Sequence, residues 1–211
     1  MPEPRLIYHF THLKNLPVIL KEGALIADSL VQGTQKLQVE VGDLSVKSRR
    51  RTMHVTCNPG GCPSDYVPFY FAPRSPMLFK IHKGGVPQYQ DGQEHLIYLV
   101  SDVDLITKSE LQWVFTDGNC AADLTEYFND VTQLEGAVDW PLMKEVMWKD
   151  TAEDPDRMRR RMAEFLVYQR FPLDLLRGIA TMTSTVENGV KAQLQEHGFE
   201  AYVGTRRGWY Y

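Results

Sequence analysis

A series of short β-prone runs limits what this chain can build. LIYHFT, HLIYLVSDV, LQWVFT, EFLVY and EAYVG are strand-like, and the stretches between them are helical, turn-rich or mixed, with no regular strand–helix alternation. An α+β domain therefore fits better than a doubly wound parallel sheet. The 211 residues are 43% apolar, enough for one compact domain over residues 1–211. No internal repeat, low-complexity tract or linker interrupts it.

Local signals place several elements. After LIYHFT, apolar Leu13, Leu16, Ile19 and Leu20 have helical spacing, and Gly23 is placed to end that helix. The block 27–52 has little periodicity, and a helix is expected around Gln38 to Arg51. CNPGGCPSD reads as a loop. In VPFYFAPRSPMLFKIH, prolines 68, 73 and 76 suggest edge strands or a break between two strands. Asp154 and Pro155 look like a helix N-cap and first helical residue. Residues 123–163 as a whole read as mostly helix or loop.

Bulk properties exclude some functions. Net charge is −4, so affinity for nucleic acid must come from local clusters. The longest apolar stretch, LPVILKEGALIADSLV, is broken by Lys21, Glu22 and Asp28, which argues against a membrane span. MPEPRLIYHF lacks the features of a signal peptide. Cys57, Cys62 and Cys120 suggest reduced thiols. Cys57 and Cys62 could form half of a zinc site, but no second ligand pair follows and no metal is expected. Together these features predict a soluble cytoplasmic monomer.

Some residue groups have chemical potential. His9 and Thr11 lie two apart on a presumed strand and share a face, while His12 is on the other. The pair suits hydrogen bonding to a sugar or amide, although a plain polar strand face would look the same. VKSRRRT holds Lys47, Arg49, Arg50 and Arg51, either a solvated helix face or a phosphate grip. In RMRRRMAEFLVY, Glu164 follows Arg157, Arg160 and Arg161. It is either the partner of Arg160 on a continuing helix or the first residue of a strand, where a rigid backbone would hold it facing a cleft. Aromatics at 66, 69, 70, 71 and 79 interleave with Arg74, Lys80 and Lys83; most should be core, yet the pattern also describes a platform for unpaired bases.

The stretches YHFTHLKNLPVILKEGALIADS, VKSRRR, DYVPFYFAPRSPML, VFTDGN, AEFLVYQRFP and WYY together resemble the DarT family, the toxin half of DarT–DarG toxin–antitoxin systems. The resemblance implies an ADP-ribosyltransferase fold related to that of poly(ADP-ribose) polymerases, with a split, mainly antiparallel sheet. It implies NAD as co-substrate, single-stranded DNA as acceptor with thymine N3 as the modified atom, and a block to DNA replication. It also implies a partner, DarG, whose macrodomain removes the modification. His9, Phe10, Thr11, Asn15 and Ile26 are matched to the NAD pocket. Arg50 is matched to an arginine that contacts NAD and takes part in catalysis, with Arg49 and Arg51 as alternatives within the run. Glu164 is matched to the catalytic glutamate. Arg74, Ser75, Met77 and Phe79, with Asn119 in the 117–119 loop, are matched to DNA-contacting segments. Transfer to guanine, RNA or protein is the alternative within enzymes, and a single-strand-binding domain without activity is the alternative outside them. All of these readings except the last require His9 and Glu164 to meet at one pocket.

Overall fold

The computed structural model describes residues 4–34 and 37–211. Residues 1–3 of the N-terminal stretch and 35–36 of the mixed block, both read above, lie outside the described residues. The strands are β1 (Leu6–His12), β2 (Ala24–Ile26), β3 (Tyr66–Tyr70), β4 (Leu96–Asp102), β5 (Trp113–Thr116), β6 (Tyr127–Phe128), β7 (Glu164–Tyr168), β8 (Arg170–Pro172), β9 (Gly178–Thr181) and β10 (Val203–Thr205). An eight-stranded sheet runs β10-β9-β4-β1-β3-β7-β5-β6, and β2 pairs with β8 in a small second sheet. All pairings are antiparallel except β9 with β10. This is an α+β architecture.

The large sheet is nearly split at its centre. β1 pairs with β4 along its whole length, from Leu6 with Asp102 to His12 with Leu96. β3 pairs with β7 from Tyr66 with Tyr168 to Tyr70 with Glu164. Between the two halves, β1 meets β3 at Tyr8 with Tyr70. Pro68 stands in this gap. The residue was expected at an edge or a break, but it lies in the sheet interior. Its carbonyl faces β1, where the His9 side chain meets it. Its ring nitrogen faces the same way, so the missing donor falls where the ladder is already open.

Packing follows the two-residue period of the strands. Ile97 and Leu99 of β4, Val67 and Phe69 of β3, and Phe165 and Val167 of β7 enter one core. Leu96, Tyr98 and Val100 enter a second cluster under the β4 half. Tyr66, Val114 and Leu166 enter a third under the β7 half. The first core spans both halves and holds the sheet together across the split.

The expected first helix is a 3-10 turn at 13–15 followed by a helix Leu16–Glu22, and Gly23 ends it at φ 68°. Other expectations need correction. The helix expected from Gln38 begins only at Leu44, where Asp43 accepts from Ser45 N, and it ends at Arg50. The run after Pro76 is a helix, Pro76–His82, with Ser75 as its cap. Here proline occupies the first helical position, where its missing N–H costs nothing. The basic helix starts at Arg157 after Asp156, not at Pro155. Helices Asp28–Thr34 and Ser184–Glu196 were not expected. The latter buries Val186, Val190 and Leu194, one side of an otherwise polar helix. No helix among the described residues is long and apolar enough to cross a membrane.

Phe171 of β8 is fully buried and meets Phe69 edge-on, with ring centroids 4.8 Å apart. Phe171→Ala is expected to lower unfolding free energy by about 3–5 kcal/mol, read from urea denaturation. A loss under ~1 kcal/mol would contradict this packing.

Candidate active site

A cavity of about 550 Å³ opens where β1 and β3 diverge, within the size range of small-molecule sites. His9, Phe10, Thr11, Asn15, Ile26 and Arg50 all line it. The structure thus brings together, from three separate chain segments, the residues matched above to an NAD pocket.

Each wall residue is held differently. His9 Nδ1 donates to Pro68 O at 2.8 Å, which leaves Nε2 as an acceptor. Burial drives its pKa to about 4, against an ordinary 6.5; the Pro68 hydrogen bond opposes this and the Arg50 charge adds to it. The ring is therefore neutral at pH 7. Phe10 lies nearly parallel to Tyr70, with ring centroids 6.3 Å apart. Asn15 is completely buried. Its amide nitrogen donates to Thr11 Oγ1 (3.0 Å) and to Val39 O (2.8 Å), and its amide oxygen accepts from Val39 N (2.9 Å). With its polar atoms committed inside the protein, Asn15 fastens the segment around Val39 over the cavity and fixes the Thr11 hydroxyl.

Glu164 is the first residue of β7 and 1% exposed. Glu164 does open a strand, but it does not line the cavity itself; it lies behind the lining residue Arg50. The i, i+4 pair with Arg160 does not form; Arg160 pairs with Asp139 and Asp154 instead. Glu164 N donates to Thr116 Oγ1 at 3.0 Å. Its Oε2 accepts from Arg50 at 2.8 Å. Among residues 49–51, Arg50 is the one that makes this contact: Arg49 pairs with Asp123 and Arg51 with Asp28. Burial works against the Arg50 charge, but neighbouring Cys120, Glu164 and Tyr70 outweigh it and raise its pKa. Cys120 and Tyr70 are themselves pushed up by burial. At neutral pH both are uncharged, and Glu164 is the acting counter-charge.

Sequence reasoning missed Tyr70 and Cys120. Tyr70 pairs in register with both Tyr8 and Glu164, so it bridges the two halves of the site. The alternation of YVPFYF was the available signal. For Cys120 there was none beyond its place beside Asn119.

Of the residues matched to the acceptor, Arg74, Ser75, Met77 and Phe79 lie in or just before the helix Pro76–His82, and Asn119 lies in a separate turn. Met77 lines the cavity. Ser75 is buried and caps the helix by accepting from Leu78 N at 3.1 Å. The Arg74 guanidinium sits over the Tyr211 ring, 4.7 Å from its centroid. Phe79 packs edge-on against Trp148 and Tyr211. Asn119 shapes its own turn, accepting from Ala121 N at 2.9 Å. Phe69 and Phe71 are core and provide no platform. The basic runs also differ from a bare cationic groove. Lys47 pairs with Asp28 and Glu40, and Arg159 with Asp117 and Asp156. Local carboxylates neutralise much of the charge that the runs suggested.

Residues 8–211 match the family model described as "DarT: ssDNA thymidine ADP-ribosyltransferase, DarT". The chain belongs to the DarT family. A DarT-family relative named DNA ADP-ribosyl transferase, from Thermus sp. strain 2.9, is 36% identical over 212 residues, covering 100% of this chain and 98% of that protein. Two solved structures of Thermus sp. 2.9 DarT are similar along the whole chain. The complex with ADP-ribosylated ssDNA has a TM-score of 0.92 at 37% identity, covering 98% of that chain. The complex with NAD+ has a TM-score of 0.88 at 36% identity, covering 99%. A more distant relative, 24% identical over 170 residues (80% of this chain, 40% of that protein), is a DNA ADP-ribosyl transferase–DNA ADP-ribosyl glycohydrolase fusion protein from Thermosipho africanus. The split sheet is thus the DarT ADP-ribosyltransferase fold.

The depressed pKa of His9 has a consequence for stability. Between about pH 6.5 and about pH 4 the unfolded chain binds a proton at this site and the folded chain does not, so His9 makes stability fall as pH drops through that window. His9→Gln is expected to flatten this part of a plot of urea midpoint against pH. Equal slopes in both proteins would contradict a neutral buried His9.

Proposed function

We propose that this chain transfers ADP-ribose from NAD to thymine in single-stranded DNA. The observation that carries the reading is the meeting of His9, Thr11 and Arg50 at one cavity, with the buried Glu164 bonded to Arg50. Complexes of the Thermus relative with NAD+ and with ADP-ribosylated ssDNA support the donor and the acceptor. One transferase domain over residues 1–211 belongs to the same reading, since a single core cluster runs from Ile7 to Val203.

The chemistry assigns the roles. The bond between nicotinamide nitrogen and ribose C1′ breaks, and nicotinamide leaves neutral with the bonding pair. Positive charge develops on C1′ and the ring oxygen, as in glycoside cleavage. A fixed carboxylate at Glu164 stabilises that charge and orients a ribose hydroxyl, while His9 Nε2 accepts a hydrogen bond from the donor's sugar. Thymine N3 then bonds to C1′ and its proton goes to solvent. Arg50 keeps its proton, because its neighbours raise its pKa. It therefore serves as the cation that steadies the anionic base, and not as the proton acceptor. A base paired in a duplex hides N3, which explains the need for a single strand. The natural counterpart is a glycohydrolase antitoxin of the DarG type, which removes the group and so opposes a toxin that stalls replication.

The test is incubation with labelled NAD and defined oligonucleotides, followed by mass spectrometry. Adducts are expected on thymine-containing single strands, with none on the same sequence in a duplex or on strands without thymine. Adducts on guanine alone, on RNA or on the protein itself would overturn the assignment.

A further inference from the structure

Tyr211 joins three segments that are distant in sequence. Its hydroxyl donates to Arg74 O at 3.0 Å and accepts from Trp148 Nε1 at 2.8 Å. Its ring lies under the Arg74 guanidinium and packs edge-on against Phe79. Its backbone is anchored in turn: Tyr211 N donates to Gln93 Oε1 at 3.1 Å, and Gln93 Nε2 donates to Tyr211 O. Burial pushes the phenol's pKa up, so at neutral pH it remains a donor.

Arg74 differs from Arg49, Arg50, Arg51, Arg159 and Arg160. Among the ion pairs of the described residues it has no carboxylate partner, and its Nε is buried without a hydrogen-bond partner. Behind it, Arg161 is 3% exposed and donates to Arg74 O at 3.1 Å. Arg161 also lacks a carboxylate; its other contact is Leu142 O at 2.7 Å. Two cations without a salt-bridge partner at one place favour an anion, and a guanidinium fork suits a phosphate diester.

We propose that Tyr211 is a positioning residue for the acceptor strand: its hydroxyl and ring face hold Arg74 at both ends, so that the guanidinium is already set to receive a backbone phosphate of single-stranded DNA. This rests on the reading of Arg74 as an acceptor contact. An arginine side chain loses much conformational freedom when it binds a phosphate. Fixing it in the free protein removes part of that cost and shows up as affinity.

The experiment measures steady-state transfer to a thymine-containing oligonucleotide in wild type, Tyr211→Phe, Tyr211→Leu, Arg74→Ala and the Arg74→Ala/Tyr211→Leu double variant. Thermal unfolding is followed in parallel. Tyr211→Phe keeps the ring and the fold and removes only the hydroxyl. It is expected to raise the oligonucleotide KM roughly three- to tenfold, the worth of about one hydrogen bond, with kcat and the NAD KM within about twofold. Tyr211→Leu should raise it further, and the double variant should match Arg74→Ala alone, because coupled residues are not additive. An unchanged oligonucleotide KM in both Tyr211 variants, or an equal change in the NAD KM, would overturn the proposal. So would full additivity in the double variant. The Arg74→Ala protein separates the two levels. If it binds the oligonucleotide normally, the acceptor reading of Arg74 fails; if it binds weakly while the Tyr211 variants do not, only the positioning role fails.

Discussion

A carboxylate removed from water keeps its charge only if a cation comes with it, and here the Arg50–Glu164 contact at 2.8 Å meets that condition. The two residues are 114 apart in sequence. Much of the fold brings them together. Asp43 caps the short helix that ends in Arg50, and Thr116 fixes the backbone of Glu164 from the neighbouring strand. A buried ion pair of this kind adds little to stability, because desolvation offsets the attraction. Its value is electrostatic order. His9 is neutral and burial keeps Tyr70 and Cys120 protonated, so none of these three adds a charge beside the Arg50–Glu164 pair.

The divergence of β1 from β3 gives the pair something to act on. A fully laddered sheet would place β1 against β3 and leave no cavity between them. Pro68 cannot donate to such a ladder, and its carbonyl is taken by the His9 ring. One residue thus opens the sheet and fixes the tautomer of the histidine beside it. Tyr8 with Tyr70 is the pairing that remains between these strands, and it puts Tyr70 next to Glu164 in register.

Local signals in the sequence carried much of this. The two-residue period predicts that His9 and Thr11 share a face, and EFLVY predicts a strand opening on Glu164. Gly23 marks the end of its helix through a left-handed conformation that other residues rarely adopt. Proline was misleading twice because its meaning depends on the neighbour it faces. At Pro68 the missing donor points into a gap, and at Pro76 it follows a capping serine. Helix Ser184–Glu196 did carry a signal in Val186, Val190 and Leu194, but its polar surroundings hid it. The basic runs were misleading for another reason. Their partners, such as Asp123 for Arg49 and Asp139 for Arg160, are set by the tertiary fold. The same holds for the Asn15–Val39 clasp and the Tyr211–Arg74 contact, whose partners lie far away along the chain.

The account places catalytic power in the charge of Glu164 and binding in the surrounding wall. Single-turnover transfer at saturating NAD and oligonucleotide, compared between wild type and Glu164→Gln, with NAD affinity measured separately by calorimetry, separates the two. Glutamine keeps the shape and can still meet Arg50 through its amide oxygen. A rate at least about a hundredfold lower, with NAD affinity within about threefold, is the predicted result. Transfer at the native rate, or a loss explained wholly by weaker NAD binding, would contradict it.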